Sequence, residues 1–227
     1  MKLMFDCDDT LYDLEQPFRR AVEEVLPDFP VDADTLYERY RWHSDVIFDL
    51  QDREIFDVNA AGIYRIFMCG KDFDSPVEVD TASQFQQVYR KNQYQVKMSP
   101  LFHSFFRKRG KEAILFSNGV DAHQRKKFHS LGIDTYIPAD RIFTSAQLGL
   151  AKPDPKAFLT ILDRFHENPS DWTYIGDHYI NDMKGAHDAG MHTIHFNRHH
   201  RQEGDFSEFI VYSEQELIAL IERLEKE

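Results

Sequence analysis

The chain has 227 residues, which fits one medium-sized domain or one domain that carries an inserted second lobe. Apolar residues make up 42% and charged residues 29%, so the chain can bury a sizeable core and is not a disordered protein. Lys and Arg number 27 and Asp and Glu number 39; the resulting net charge of −12 argues against nucleic acid as a partner. No apolar run reaches the ~18 residues of a membrane span. The two cysteines do not make a disulfide framework, so we expect a cytoplasmic protein.

The chain begins with a short apolar run, Lys2–Phe5, that predicts a buried strand. Similar runs recur at Ala113–Phe116, Ile142–Phe143, Tyr174–Ile175, Thr193–Phe196 and Ile210–Val211. None of them alternates polar and apolar residues, as expected for a parallel sheet that is covered on both faces. Helical stretches are predicted at Leu101–Arg109, Ala122–Leu131, Pro155–Phe165 and Ile180–Ala189. A last helix begins at a capping box formed by Ser213 and Glu216. Alternating strands and helices predict an α/β fold with a doubly wound parallel sheet.

Residues from about 14 to 97 interrupt this alternation. They contain helical spacing and few strand signals, with predicted helices at Phe18–Val25, Thr35–Leu50, Ala60–Met68 and Ala82–Tyr94. The segment is rich in aromatic residues, which we expect to pack its helices together. We therefore predict an all-helical lobe at 14–97, inserted into an α/β core made of residues 1–13 and 98–227.

Polar residues follow the predicted strands in a recurring way. Asp6–Thr10 follows the first strand, Ser117–Gly119 follows the second, and Gly176–Asp182 follows Tyr174–Ile175. Lys152 precedes a turn rich in proline. Because the carboxyl ends of the strands in an open α/β sheet share one crevice, these four segments are expected to converge there.

The expected collection of groups suits phosphoryl transfer. Clustered carboxylates repel one another, so they can all be ionised only beside a cation, and oxygen donors without nearby Cys or His favour Mg²⁺. Ser117, the N–H groups after it, and Lys152 are then left to face an anion with several oxygens. One carboxylate can attack the phosphoryl group as a nucleophile, and a second, two residues on, can transfer the proton. The sequence therefore predicts Mg²⁺-dependent hydrolysis of a phosphomonoester.

The order of these motifs resembles that of the haloacid dehalogenase superfamily of phosphohydrolases, and the likeness covers nearly the whole chain. The matching positions are Asp-x-Asp-x-Thr at Asp6–Thr10, Ser117, Lys152, and Gly-Asp-x-x-x-x-Asp at Gly176–Asp182. The inserted lobe resembles the α-helical cap that many members carry between the first and second motifs. Two positions differ from the usual pattern: Asp9 stands where many members have Gly, and His178 stands where a small hydroxyl residue is frequent.

The resemblance implies a role for each matching side chain. Asp6 would be the nucleophile and Asp8 the general acid/base, while Thr10 would support the loop. The residues that would hold the phosphoryl group are Ser117, Asn118 and Lys152. The groups that would hold Mg²⁺ are Asp6, the carbonyl oxygen of Asp8, and Asp177, with Asp182 behind them.

A capped crevice should refuse phosphoproteins, so the expected substrate is a small phosphorylated metabolite such as a nucleotide or sugar phosphate. Three alternatives remain: a phosphomutase with the same motifs, a haloacid dehalogenase, and a non-catalytic metabolite sensor. The dehalogenase needs neither Mg²⁺ nor Asp8, and a sensor would usually lack one of the catalytic groups. Four histidines near the end of the chain offer nitrogen donors for zinc as a further alternative: His192, His195, His199 and His200. Structural roles are the simpler interpretation of these histidines, because two of them bracket a predicted strand.

Overall fold

The computed structural model describes residues 1–47 and 57–226 of the chain. The chain divides into two compact units, residues 1–13 with 97–227 and residues 14–96. We refer to the first as the α/β unit and to the second as the helical unit. Within the described residues, none of the helices combines the length and the apolar character needed to cross a membrane.

Six parallel strands form a single sheet in the α/β unit. They are β1 (Lys2–Phe5), β2 (Ile114–Ser117), β3 (Ile142–Thr144), β4 (Trp172–Gly176), β5 (His192–Phe196) and β6 (Phe209–Val211). Each corresponds to one of the six predicted apolar runs, with bounds that differ by at most two residues. The strand interiors are almost entirely buried, as expected for a sheet with helices on both faces. The predicted doubly wound parallel sheet is confirmed.

The direction in which strands are added reverses at β1. The spatial order is β3-β2-β1-β4-β5-β6, so β2 and β3 extend the sheet on one side of β1 and the later strands extend it on the other. Phe5 of β1 is level with Ile175 of β4, and the Asp6 N–H donates to the Ile175 carbonyl at 2.8 Å. The carboxyl ends of β1 and β4 therefore form the switch point where α/β sheets bind ligands.

Four helices form the described part of the helical unit. They are α1 (Glu15–Val25), α2 (Ala33–Val46), α3 (Val58–Asp72) and α4 (Val79–Gln93). Phe18 lies at the centre of their core, with its ring centroid 5.0–5.7 Å from those of Tyr37, Tyr40, Phe85 and Tyr89. The prediction that aromatic side chains pack these helices is confirmed for this group. The predicted helix Thr35–Leu50 is observed as α2, and residues 48–50 lie outside the described residues.

The helices of the α/β unit follow the predicted order. They are α5 (Pro100–Arg109), α6 (Asp121–Leu131), α7 (Ser145–Leu148), α8 (Pro155–Asp163), α9 (Gly185–Asp188) and α10 (Glu214–Leu224). The Ser213 hydroxyl caps α10 by accepting from the Glu216 N–H at 3.2 Å. The Glu216 carboxylate accepts from the N–H of Tyr212, one residue earlier than a standard capping box predicts.

One predicted helix, Ile180–Ala189, has a different form. Residues Tyr179–Lys184 make a π-helical turn, and α9 follows it directly. In this wider turn the Met183 N–H reaches back to the carbonyl of His178 at 3.3 Å, and the Asp182 carboxylate accepts from the His178 N–H at 2.9 Å. Over a segment this short, the spacing of apolar residues does not separate a π-turn from an α-helix. π-Turns are frequent at functional sites.

Candidate active site

Lys152 joins segments that the sequence predicted to converge. Its ammonium nitrogen lies 2.6 Å from Asp6 Oδ1, 2.6 Å from Asp182 Oδ1 and 2.9 Å from the Tyr174 hydroxyl oxygen. Burial by itself lowers the pKa of Lys152, but the neighbouring carboxylates of Asp182 and Asp6 outweigh it and hold the pKa well above its usual value. Lys152 is therefore a permanent positive charge, buried between two carboxylates at the carboxyl end of the sheet.

Asp6, Asp177 and Asp182 form a buried carboxylate cluster. One oxygen of each lies within 4.8 Å of the others. Burial, followed by repulsion from Asp182, raises the pKa of Asp6 to about 7 in spite of the nearby Lys152. Burial and the neighbouring carboxylates, of which Asp9 is the strongest, raise the pKa of Asp177 well above its usual value. The cluster thus holds more negative charge than Lys152 can balance.

The donor atoms of this cluster fit a hard divalent cation. All three are carboxylate oxygens, and this group of described residues contains no Cys or His. Mg²⁺ prefers oxygen donors of this kind, and a divalent charge would relieve the repulsion that raises the pKa values of Asp6 and Asp177. The Asp8 side chain does not belong to this group.

Asp8 is held by polar side chains of α6 and by Tyr12. Both of its carboxylate oxygens lie 2.6 Å from Lys127 Nζ. Gln124 Nε2 lies 3.1 Å from Asp8 Oδ2, and the Tyr12 hydroxyl lies 2.5 Å from Asp8 Oδ1. Burial raises the pKa of Asp8, but the Lys127 charge and the hydrogen bonds from all three side chains outweigh it and lower the pKa to about 2. In this arrangement Asp8 is ionised at neutral pH and can accept a proton.

Ser117 and Asn118 lie at the end of β2, beside Lys152. Ser117 is the last residue of the strand and is buried. The Asn118 amide donates to the carbonyl of Lys152 at 2.9 Å and accepts from the Lys152 N–H at 2.9 Å. The Gly119 N–H donates to the Ser145 hydroxyl at 2.9 Å. The Asn118 side chain therefore connects the segment after β2 to the segment that contains Lys152. Because the side chain is engaged in these bonds, the main-chain N–H of Asn118 is the group that can bind an anion.

Asp9 adopts the backbone conformation that favours glycine, with a φ of +58°. Its carboxylate accepts from Arg201 Nη1 at 3.0 Å, and the same nitrogen lies 3.3 Å from Asp177 Oδ2. Arg198 donates to the carbonyl oxygens of Asp9 at 2.9 Å and Thr10 at 3.1 Å. Thr10 is fully buried, and its hydroxyl has no hydrogen-bond partner among the described residues. We call Asp6–Thr10 the first motif loop. Arg198 and Arg201, in the segment after β5, support this loop, a role that the sequence predicted for Thr10 alone.

His195 supports Asp177 from the neighbouring strand. Its Nε2 lies 2.8 Å from the Asp177 carbonyl oxygen, so this nitrogen carries the proton and donates it. Burial lowers the pKa of His195, which keeps the ring neutral. The other nitrogen lies 3.3 Å from the Ser207 hydroxyl. The structural interpretation of this histidine is confirmed, although its connection to Asp177 was not foreseen.

Sequence reasoning missed several residues that shape the site. They are Tyr12, Gln124, Lys127, Tyr174, His195, Arg198 and Arg201. For two of them a signal was present: Gln124 and Lys127 share one helical face with Phe128 and Leu131, at the spacing that predicts burial. The others are ordinary strand or loop residues, and only their contacts in space connect them to the predicted motifs.

His199 provides a test of this network through the pH dependence of stability. Its Nε2 lies 3.5 Å from carboxylate oxygens of Asp9 and Asp13. Burial lowers the pKa of His199, but hydrogen bonds with Asp13 and Asp9 outweigh it and raise the pKa from 6.5 to about 9. A pKa raised on folding stabilises the protein fully below about pH 6.5, and this stabilisation is lost as the pH rises through about 9.

We expect His199→Gln to reduce the fall in Tm between about pH 6 and 9.5, because the substituted side chain cannot lose a proton. The measurement is thermal unfolding of both proteins across this range. His192→Gln is the control, because His192 is exposed and pairs with Glu208 far from Asp9 along the chain. Parallel curves for wild type and His199→Gln would show that His199 does not have a raised pKa.

Comparison with known proteins connects this geometry to a family. The family model for haloacid dehalogenase-like hydrolases matches residues 3–190. The glyceraldehyde 3-phosphate phosphatase of Pyrococcus furiosus is 27% identical, and the match covers 99% of this chain and 93% of that protein. The pyrimidine 5'-nucleotidase PynA of Streptococcus pneumoniae is 25% identical, with 97% and 94% covered. The match to the glyceraldehyde 3-phosphate phosphatase of Methanopyrus kandleri is 28% identical and spans 49% of each chain, about half of that relative's length.

A solved structure shares the fold over almost the whole chain. It is that of the hydrolase YfnB from Bacillus subtilis, determined with magnesium bound. The TM-score is 0.72, and the match covers 97% of both chains at 20% identity. At this identity the likeness shows the fold alone.

Proposed function

Because the chain belongs to the haloacid dehalogenase-like hydrolase family, we propose that it is a Mg²⁺-dependent phosphatase that releases inorganic phosphate from a small phosphorylated metabolite. The observation that carries this proposal is the buried Lys152, which lies between Asp6 and Asp182 at the switch point of the sheet. These two carboxylates form a cluster with that of Asp177. A fixed cation and a metal-binding cluster around one carboxylate are what an attack on a phosphate dianion requires. The phosphatase names of its relatives support the same reaction class.

Asp6 is the nucleophile of the proposed reaction. One of its carboxylate oxygens forms a bond to phosphorus while the bond to the leaving oxygen breaks, which gives an aspartyl phosphate. Lys152, Ser117 and the main-chain N–H of Asn118 hold the phosphoryl oxygens during the transfer. Asp6, the carbonyl oxygen of Asp8 and Asp177 would hold Mg²⁺, with Asp182 behind them. The ion would offset negative charge on the carboxylates and the phosphoryl group.

Asp8 moves the proton in both halves of the reaction. In the first half, its carboxylic acid gives a proton to the leaving oxygen; in the second, its carboxylate takes a proton from the water that attacks the aspartyl phosphate. The second half releases phosphate and restores Asp6. The contacts with Lys127, Gln124 and Tyr12 favour the ionised form of Asp8 that the second half needs. The acid form that the first half needs carries the proton that Asp8 took from water in the second half of the preceding turnover. Substrates with poor leaving groups need this proton most, so they depend most strongly on how Asp8 is held.

The helical unit, residues 14–96, is the proposed cap of this phosphatase, and the α/β unit is its catalytic core. Two substrate classes deserve priority because relatives that match nearly the whole chain are named for them: triose phosphates and pyrimidine nucleoside monophosphates. Both are small phosphomonoesters, in agreement with the expectation from the sequence.

The experiment is a phosphate-release screen with Mg²⁺ and with Asp6→Asn as the background control. The panel contains glyceraldehyde 3-phosphate, pyrimidine and purine nucleoside 5'-monophosphates, phosphoserine and hexose phosphates. We expect at least one substrate with a kcat/KM of about 10⁴ M⁻¹s⁻¹ or more. An isomerised phosphate ester without free phosphate would identify a mutase. Feeble activity across the whole panel would contradict the proposal and favour a sensor.

A further inference from the structure

The buried face of α6 contains two polar residues where a helix packed on a sheet usually has apolar ones. Gln124 and Lys127 are each 2% exposed, and they share this face with Phe128 and Leu131, which are each 1% exposed. The positions follow the i, i+3, i+4, i+7 spacing of a core-facing stripe. Removing an ammonium group from water costs free energy, and an apolar side chain of similar size would avoid that cost. Stability alone therefore does not explain why the Lys127–Asp8 pair stands where two apolar side chains could pack.

Both polar side chains meet at Asp8. Lys127 Nζ contacts the two carboxylate oxygens of Asp8 at 2.6 Å each. Gln124 Nε2 has two hydrogens; one points to Asp8 Oδ2 at 3.1 Å and the other to the Asn118 carbonyl at 2.6 Å. α6 thus connects the first motif loop to the loop after β2. The Asp8 carboxylate is fixed against both, and its rotation about χ1 and χ2 is restricted.

We propose that Lys127 is a positioning residue of the phosphatase reaction, which holds the Asp8 carboxylate in the orientation needed for proton transfer, with Gln124 fixing that orientation relative to the phosphate-binding loop. The inference rests on the proposed role of Asp8 as the general acid/base. A proton donor must lie within hydrogen-bond reach of the leaving oxygen. A misplacement of about 1 Å costs roughly 10²-fold in rate, so a freely rotating Asp8 would be a poor catalyst.

The effect should depend on the leaving group. Phenyl phosphate and p-nitrophenyl phosphate have nearly the same size, but only phenolate is basic enough to need substantial protonation as it departs. For Lys127→Met we expect kcat/KM with phenyl phosphate to fall roughly 10²-fold and kcat/KM with p-nitrophenyl phosphate to fall less than about 5-fold. The quantity to compare is kcat/KM, because it reports the transfer from the substrate to Asp6, whereas hydrolysis of the aspartyl phosphate is the same step for both substrates. Lys127→Arg should restore part of the lost activity, because a guanidinium can still bind the carboxylate.

Matched variants separate positioning from a general effect on the fold. Lys126→Met removes an exposed lysine from the adjacent position of α6 and should leave the activity toward both substrates unchanged. The Tm of Lys127→Met should fall, because the variant leaves the Asp8 carboxylate without its counter-charge. A general loss of folded protein would lower the activity with both substrates equally, so the difference between the two substrates measures the positioning of Asp8. If Lys127→Met does not fold, Gln124→Met offers the same test with a smaller effect, about 5-fold with phenyl phosphate.

A double variant decides whether Lys127 acts through Asp8. Asp8→Asn should show the same preference for p-nitrophenyl phosphate, and adding Lys127→Met to it should cause little further loss. Equal losses of kcat/KM for the two substrates in Lys127→Met, or fully additive losses in the double variant, would overturn the positioning role while leaving Asp8 as the acid/base. If Asp8→Asn itself loses kcat/KM equally with both substrates, the proposed role of Asp8 as the general acid is wrong.

Discussion

Replacing Asp6 with asparagine is expected to abolish phosphate release, with a loss of at least ~10³-fold in kcat for every substrate of the panel. The amide has nearly the same shape as the carboxylate, but its oxygen is too weak a nucleophile to attack phosphorus. The loss should therefore be similar with p-nitrophenyl phosphate and with phenyl phosphate, because both substrates need the same nucleophile. Steady-state phosphate release with both substrates measures this.

The same variant should be at least as stable as the wild type. Burial and the nearby carboxylates raise the folded pKa of Asp6 from 3.8 to about 7, so its charge opposes folding increasingly from pH 3.8 upward and fully above pH 7. At about pH 8 the neutral amide removes this penalty, and Tm should stay the same or rise. Asp163→Asn, at the exposed end of α8, serves as the control and should leave both activity and Tm unchanged. Wild-type turnover in Asp6→Asn would show that another group attacks phosphorus.

Removal of the divalent cation is expected to abolish activity reversibly, and Asp177→Asn should raise the Mg²⁺ concentration needed for half-maximal activity by about 100-fold or more. Asp177 belongs to the carboxylate cluster, and its position is fixed by His195 and Arg201. The loss of one ionised donor out of three weakens the attraction for the cation directly. EDTA treatment followed by Mg²⁺ addition, and calorimetric titration of Mg²⁺ into both proteins, measure the two effects.

Proton release offers an independent measurement of the same site. The pKa of Asp6 is raised to about 7 and that of Asp177 is raised well above its usual value, so protons occupy the cluster at about pH 6. A cation that binds these carboxylates must displace those protons, and Mg²⁺ addition should acidify a weakly buffered solution. Asp188→Asn, which changes an exposed carboxylate at the end of α9, should bind Mg²⁺ and release protons like the wild type. Full Mg²⁺ affinity in Asp177→Asn would place the cation elsewhere.

Most of the α/β unit could be predicted because its signals are local. Each strand is a short apolar run between polar segments, and burial of both faces of the sheet removes the alternation that would complicate the pattern. The π-turn at Tyr179–Lys184 was missed for a related reason. It depends on hydrogen bonds of His178 with Met183 and Asp182, and these contacts leave no periodic signature in so short a segment.

The sequence predicted the motif residues of the site but not their contacts with residues that are distant along the chain. The order of the motifs indicated Asp6, Lys152 and Asp182. In the structure the Lys152 ammonium group lies within hydrogen-bond distance of both carboxylates. The surroundings of Asp8 were not foreseen, since Lys127 lies 119 residues further along the chain, and the helical spacing that predicts its burial does not identify its partner. The burial of that one lysine follows from the packing of α6.

The sequence by itself determined the class of chemistry, because carboxylates and a hydroxyl placed directly after buried strands must gather at the carboxyl end of a parallel sheet. The resemblance to the family placed Asp9 where many members have glycine, and its φ of +58° lies in the region that favours glycine. Tertiary structure alone decided the electrostatics. The pKa values of Asp6 and Asp8 move in opposite directions, although the two side chains are two residues apart, because one is buried among carboxylates and the other is held by Lys127. Desolvation and charge pairing act through space, so they depend on the fold and not on the order of residues.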